Sequence, residues 1–219
     1  MKNIVFFGTG AVAAEYTSYI EDSSWGKEAG LVIKGYVTTD EAGIENWNHY
    51  NFKKPFLGSW KDYMVDKNDY FVLAFDNPKA KKNLIREIKS KKGNFLNLIH
   101  PTAFISSTAK IGIGNLIGPY VILGPNVKMG DFNLLTSQTM ISHDSVIGDC
   151  NFFATSLLCG HIKVADDNYF GIRSTIVPEV IIGSRNTIQA GMIVDKSIND
   201  DVTVFYRFKE KVLAIPYRG

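Results

Sequence analysis

The sequence predicts two joined architectures: a small α/β domain with an open parallel sheet over residues 1–100, and an all-β prism of six-residue repeats over residues 101–219. Two observations predict them. Short apolar runs alternate with helical spacings through the first hundred residues. After that, an aliphatic residue followed by a small one recurs at every sixth position.

The elements follow in order. A first strand over residues 4–7 ends at Gly8-Thr9-Gly10, and helical spacing begins at Ala11 and runs to residue 20. A second strand covers residues 31–37. A third, residues 70–75, is nearly all apolar, as a parallel strand covered on both faces must be. Asp76, Asn77 and Pro78 then supply a cap and a first-turn proline for a basic amphipathic helix over residues 79–91, with Lys79, Lys81 and Lys82 read as its solvated face. Residues 95–99 close the unit as a fourth strand.

At His100-Pro101 the period becomes six. Ile111-Gly112, Ile117-Gly118, Leu123-Gly124 and Met129-Gly130 recur without a break, and Leu135-Thr136, Ile141-Ser142 and Ile147-Gly148 keep the phase. Two positions before each aliphatic stand mostly small or β-branched residues such as Ala109, Val121, Thr139 and Ser145. Each hexapeptide makes one flat side, its aliphatic points inward, and the small residue lets the chain turn a tight corner. Three sides close a coil of about 18 residues, which gives roughly five coils. A helical alternative fails, because a glycine at every sixth position costs about 1 kcal/mol each in a helix. The phase slips once. After Ile147 the clear inward residues are Leu158, Val164, Phe170, Ile176 and Ile182, so one residue is missing around 155–160 and a corner there is distorted. Residues 200–219 carry no repeat and are expected to cap or extend the prism.

Composition excludes several classes of partner. With 45% apolar and 21% charged residues and a net charge of +2, the chain has a core to bury but no basic stripe for nucleic acid or an anionic membrane surface. No run approaches the roughly 18 apolar residues of a membrane helix, and the first apolar run is too short for a signal peptide. Cys150 and Cys159 make neither a disulfide framework nor a zinc motif and read as thiols in a reducing compartment. The expected location is the cytoplasm.

The stretch from Ile4 to Gly10, Phe75-Asp76-Asn77, the repeats from Ile111, and the string Ile141-Ser142-His143-Asp144-Ser145-Val146-Ile147-Gly148-Asp149 resemble the bacterial sugar acyltransferases. These include sialic acid O-acetyltransferases and nucleotide-4-amino-sugar N-acetyltransferases, and the resemblance spans nearly the whole chain. It implies a Rossmann-like N-terminal domain that holds a nucleotide-linked sugar, followed by a left-handed parallel β-helix. It also implies a homotrimer with acetyl-CoA, the co-substrate, in the groove between adjacent prisms. His143 would be the general base and Asp144 its helper. Backbone at Gly171, Ile172, Ala190 and Gly191 would contact acetyl-CoA, and Gly8, Gly10, Ala11, Thr38 and Asn77 would hold the acceptor. Some positions depart from the family pattern. Gly8-Thr9-Gly10-Ala11-Val12 lacks the usual third glycine and histidine, Thr38-Thr39 replaces an acidic pair with only Asp40 next door, and Phe152 stands where a CoA-contacting histidine is usual. The closing motif has as counterparts only Tyr206-Arg207-Phe208-Lys209 or Ile215-Pro216-Tyr217-Arg218.

The chemistry suits these residue types. Acyl transfer from a thioester needs an uncharged amine or an incipient alkoxide, and a neutral imidazole can take the proton near pH 7. An adjacent carboxylate orients the ring and stabilises the imidazolium. His161, 18 residues or one coil length beyond His143, could stack above it. Two stacked histidines invite a zinc reading, but no third histidine stands near, so no metal is expected. Gly8-Thr9-Gly10 is either a phosphate-binding nest or simply a tight strand-to-helix turn. Asn77 is either a ligand contact or a helix cap. Arg173 or Arg185 could meet the phosphates of CoA. The reading favoured is N-acetylation of a nucleotide-linked amino sugar, in cell-surface glycan synthesis. O-acetylation of a sugar and a non-catalytic trimeric scaffold are the alternatives.

Overall fold

The computed structural model describes residues 2–39 and 42–206. Its first part is a five-stranded, all-parallel sheet in the order β3-β2-β1-β4-β5, formed by β1 (Lys2–Phe7), β2 (Leu31–Thr38), β3 (Phe56–Ser59), β4 (Asp69–Leu73) and β5 (Asn94–Phe95). Helices α1 (Ala11–Glu21), α2 (Trp25–Glu28), α3 (Ala42–His49) and α4 (Pro78–Ser90) connect the strands. The central strands bury both faces, with Ile4, Val5, Phe6, Tyr36 and Phe71 all inaccessible, which is why they read as unbroken apolar runs. Asn77 caps α4 by accepting a hydrogen bond from the Ala80 N–H at 3.0 Å, and Pro78 opens the helix.

Three elements went unread in the sequence, the first being the four-residue helix α2, too short to show a period. Helix α3 carries few apolar residues, and the edge strand β3 is only half-buried, so neither shows a clear period. The expected fourth strand divides in two: Asn94–Phe95 pairs with β4, whereas Leu98–Ile99 pairs with Leu116–Ile117 and forms the first rung of the prism.

Among the described residues, the prism has three parallel faces, of seven, six and five strands. The first face runs from Leu98–Ile99 to Thr203–Val204, the second from Phe104–Ile105 to Ile193–Val194, and the third from Lys110–Ile111 to Ile181–Ile182. This stack fits a left-handed parallel β-helix. The second residue of each rung points inward, and these form one continuous core that includes Ile117, Leu123, Met129, Ile141, Leu158 and Ile182. The phase slip lies between Phe153 and Leu158. Phe153 is itself an inward rung residue, six beyond Ile147 and stacked on Phe170, and Thr155 turns its corner one position early. The last described strand, Thr203–Val204, extends the prism. The candidate closing motifs beyond Tyr206, and Asp40, lie outside the described residues.

One corner is stitched by a column of asparagines. The side-chain oxygens of Asn97, Asn115, Asn133, Asn151 and Asn168 each accept the backbone N–H of the next asparagine one coil on, and Asn186 accepts from Val202. Asn115, Asn133 and Asn151 are fully buried, so these bonds satisfy N–H groups that water cannot reach.

The α/β unit docks on the lower coils. Leu98, Leu116 and Leu134 of the first face pack against Tyr16, Ile20 and Trp25, while Phe132 and Cys150 pack against Ile85 and Ile88 of α4. His100 sits edge-on to Tyr19, and near Trp25, at this junction. The basic face of α4 is a correction to the sequence reading. Lys81 is buried at the junction, where its Nζ donates to the Phe132 carbonyl at 3.3 Å, and Lys82 is paired with Asp167. Both reach the prism, which the helical period alone could not reveal.

Candidate functional site

Ile141 points into the core, and the chain then turns the corner between the second and third faces through Ser142, His143 and Asp144. The turning residue is Asp144, with φ 57°, in a left-handed conformation that costs an ordinary residue roughly 1 kcal/mol. The coil beneath offsets that cost, because the Asp144 N–H donates to the Pro125 carbonyl at 2.9 Å. Asn126, His161 and Glu179 turn the equivalent corners of neighbouring coils with φ of 60°, 59° and 66°. Asp144 is thus held from below, and His143 is projected outward with 53% of its side chain exposed.

His143 Nδ1 lies 2.8 Å from Asp144 Oδ2, while Asp144 Oδ1 accepts from the Asn126 amide at 3.0 Å. Hydrogen bonds from Asn126 and then His143 hold the Asp144 carboxyl below the usual carboxylate range, so it is ionised at neutral pH. An ionised acceptor at Oδ2 selects the His143 tautomer with its proton on Nδ1, leaving the Nε2 lone pair free. The arrangement is an exposed imidazole oriented by the carboxylate beside it.

His161 does not stack above His143. The lost residue shortens that coil to 17, so His161 sits over Asp144 and Gly160 sits over His143. The two imidazoles meet edge to face, with centroids 5.1 Å apart, and His161 Nε2 lies 4.0 Å from Asp144 Oδ2. The third donor that the sequence reading lacked is therefore Asp144 itself: one ligand atom from each of His143, Asp144 and His161 falls within 4.8 Å of the others.

The other expected residues gather elsewhere. Gly171 and Ala190 meet at the corner between the first and second faces, where a Cβ on Gly171 would come within 2.6 Å of the Ala190 nitrogen. The Gly191 N–H donates to the Ile172 carbonyl at 2.8 Å, so all four expected CoA contacts form one stacked patch. That patch and the His143 dyad occupy different corners of the same chain. Of the two candidate phosphate-binding arginines, Arg185 is engaged by Asp200 and Asp201, and Arg173 turns a corner of the prism. Phe152 lies on the first face, half-buried against the α/β core and stacked on Tyr169, and does not adjoin His143.

At the carboxyl edge of the parallel sheet, Gly8, Gly10 and Thr38 line a cleft of 390 Å³ together with Thr9, Thr39 and Asn46. Gly8 has φ 104°, a conformation that favours glycine, and this brings the backbone close to Ala74. Ala11 opens α1, whose preceding Gly10 supplies no side-chain cap, so first-turn N–H groups remain available beside the cleft. Asn77 lines a separate cleft of 660 Å³ between α4 and the prism, with Lys79, Arg86, Tyr169 and Arg185 among its walls. Sequence reasoning missed this cleft because it exists only where the two units meet. Among the described residues, no helix is long and apolar enough to cross a membrane.

No protein-family model and no curated protein matches the sequence. Solved structures do match the fold. PerB from Caulobacter crescentus, determined in complex with CoA and GDP-perosamine, superposes with a TM-score of 0.79 at 21% identity, over 93% of each chain. WeeI from Acinetobacter baumannii AYE gives 0.80 at 21% identity, over 93% of this chain and 96% of that one. The acetyltransferase domain of PglB from Neisseria gonorrhoeae FA1090 gives 0.77 at 15% identity, again over 93% and 96%. Over 93% of its length the chain therefore shares the fold of these three proteins.

Proposed function

We propose that this chain is an acetyl-CoA-dependent acyltransferase that N-acetylates a nucleotide-linked amino sugar in the cytoplasm. The observation that carries the reading is the His143–Asp144 dyad, set on an exposed corner of a fold whose solved relatives include a complex with CoA and GDP-perosamine. His143 Nε2 removes the proton as the uncharged amine attacks the thioester carbonyl, and Asp144 stabilises the imidazolium that forms. Collapse of the tetrahedral intermediate expels the CoA thiolate, which takes that proton. Transfer is direct, with no acyl-enzyme.

The α/β unit of residues 1–100 acts as a Rossmann-like nucleotide site, its Gly8–Thr38 cleft holding the acceptor at the carboxyl edge of the sheet. The patch at Gly171, Ile172, Ala190 and Gly191 receives acetyl-CoA through backbone groups. Because that patch and the dyad lie on different corners, the productive site is one formed between chains of a homotrimer. The outward residues of the second face support this, since Phe104, Ile122, Met140 and Leu157 form an apolar run, with Ile193 beyond Thr175.

The test is thiol release from acetyl-CoA against a panel of nucleotide-linked 3-amino and 4-amino sugars and their hydroxyl counterparts, beside His143→Ala. Turnover with one acceptor, lost in the variant, is the expected result. No release with any acceptor and no binding heat for acetyl-CoA would overturn the reading in favour of a non-catalytic scaffold.

A further inference from the structure

A cluster of metal-ligating atoms stands at the dyad because of a missing residue. The five-residue step from Phe153 to Leu158 moves His161 into the corner column of Asp144, and the imidazole then reaches back toward the carboxylate. We propose that His143, Asp144 and His161 bind a divalent late first-row transition ion, zinc being the representative case, and that the ion acts as an inhibitor and not as a cofactor.

The donor set fits such an ion. Two imidazole nitrogens and one carboxylate oxygen suit zinc, cobalt, nickel or copper, and are a poor match for the oxygen-rich shells of magnesium and calcium. Zinc takes these ligands at about 2.0–2.2 Å. The three donors already lie within 4.8 Å of one another, and both imidazoles are solvent-exposed and can turn toward the carboxylate. Asn126 supplies the outer support. Its amide holds Asp144 Oδ1 at 3.0 Å, which fixes the carboxylate plane and leaves Oδ2 to face both histidines.

Inhibition follows from the electron count. A neutral imidazole has one lone pair, and its other nitrogen carries the ring proton. A metal bound at either nitrogen of His143 takes the lone pair that the attacking amine's proton would need. The ion displaces no covalent bond, adds one coordinate bond per ligand, and releases to solvent any proton that a protonated ring carried. This consequence rests on the transferase reading, whereas the binding itself does not.

The experiment uses tag-free full-length chain titrated with Co²⁺, followed by visible ligand-field absorption and by zinc competition. The expected result is one ion per chain, with affinity at least tenfold weaker in His161→Asn and again in Asp144→Asn. Absence of a stoichiometric site, or affinity in either variant equal to the parent's, overturns the proposal. In the acceptor assay, zinc is expected to lower turnover more than tenfold and a chelator to restore it. The zinc concentration needed should rise at least tenfold in His161→Asn, each variant being compared with its own metal-free rate. Intact cobalt binding in a protein that turns over no acceptor would overturn the transferase reading and support the site.

Discussion

Gly160 lies directly over the imidazole of His143. A Cβ placed on it would come within 2.7 Å of Cε1 and 2.8 Å of Nε2, the nitrogen left free by the Asp144 contact. The coil above the dyad must therefore carry no side chain at that point, or the ring must move. Because the ring is the exposed end of a flexible side chain, it will move at little cost to the fold.

Gly160→Ala is accordingly expected to keep the parent's thermal midpoint within about 2 °C while reducing kcat by about tenfold or more, since misplacing a base by an ångström is costly. Stopped-time thiol release and a thermal scan on the same preparation check both halves. A variant that unfolds early would show that Gly160 serves the backbone and not the ring.

His143→Ala removes the proposed base outright. General-base catalysis contributes typically 10²–10⁴-fold, so turnover with the acceptor found in the panel should fall by about that factor. The side chain is half-exposed and packs little, so unfolding free energy should change by no more than about 0.5 kcal/mol. Retained binding heat for acetyl-CoA would locate the loss in the chemical step.

The asparagine column offers a stability test away from the site. Asn133 is fully buried, its oxygen accepts from the Asn151 N–H at 2.9 Å, and its amide donates to the Gly148 carbonyl at 2.9 Å. Asn133→Ala strands both partners and should destabilise the prism by about 2–4 kcal/mol, read from denaturant midpoints. An asparagine exposed at the surface would show a few tenths.

Lys81 gives a pH signature. Burial at the junction lowers its pKa from 10.5 to about 8, so the unfolded chain binds the extra proton between those values and stability rises with pH across that window. Cys150 opposes it from pH 9 upward, because burial pushes its thiol from 9.0 to about 11 and the folded state then holds the extra proton. The parent should thus gain stability mainly between pH 8 and 9. Lys81→Met removes the first effect, together with the Lys81 charge that pulls the Cys150 thiol down. It is expected to exceed the parent by about 2 kcal/mol below pH 8, allowing for the lost bond to Phe132, with the margin closing toward pH 10.5. Urea unfolding at pH 7, 8.5 and 10.5 decides it.

The second face predicts assembly. Leu157→Asp puts a charge in the apolar run and should convert a trimer to monomers in sedimentation velocity, with loss of turnover. A parent that sediments as a monomer would remove the inter-chain site from the proposal.

The sequence by itself determined the periodicities and what depends on them. Residues such as Ile111, Leu123 and Ile141 declare a six-residue repeat, because each must reach the same core, and the run Ile4 to Phe7 declares a strand buried on both faces. His143 and Asp144 were legible as neighbours on one corner, since adjacency in the chain is adjacency in space. Only the tertiary structure decided which residues of different coils meet. The missing residue, legible in the repeat as a slip, moved His161 from above His143 to above Asp144 and placed Gly160 over the His143 ring, a pairing between coils that the slip alone did not locate. In the same way, Lys81 and Lys82 follow the helical period of a solvated face, yet Lys81 is buried at the junction and Lys82 pairs with Asp167 because the two units dock there. Local spacing sets what each segment becomes, and the register between segments sets what its side chains touch.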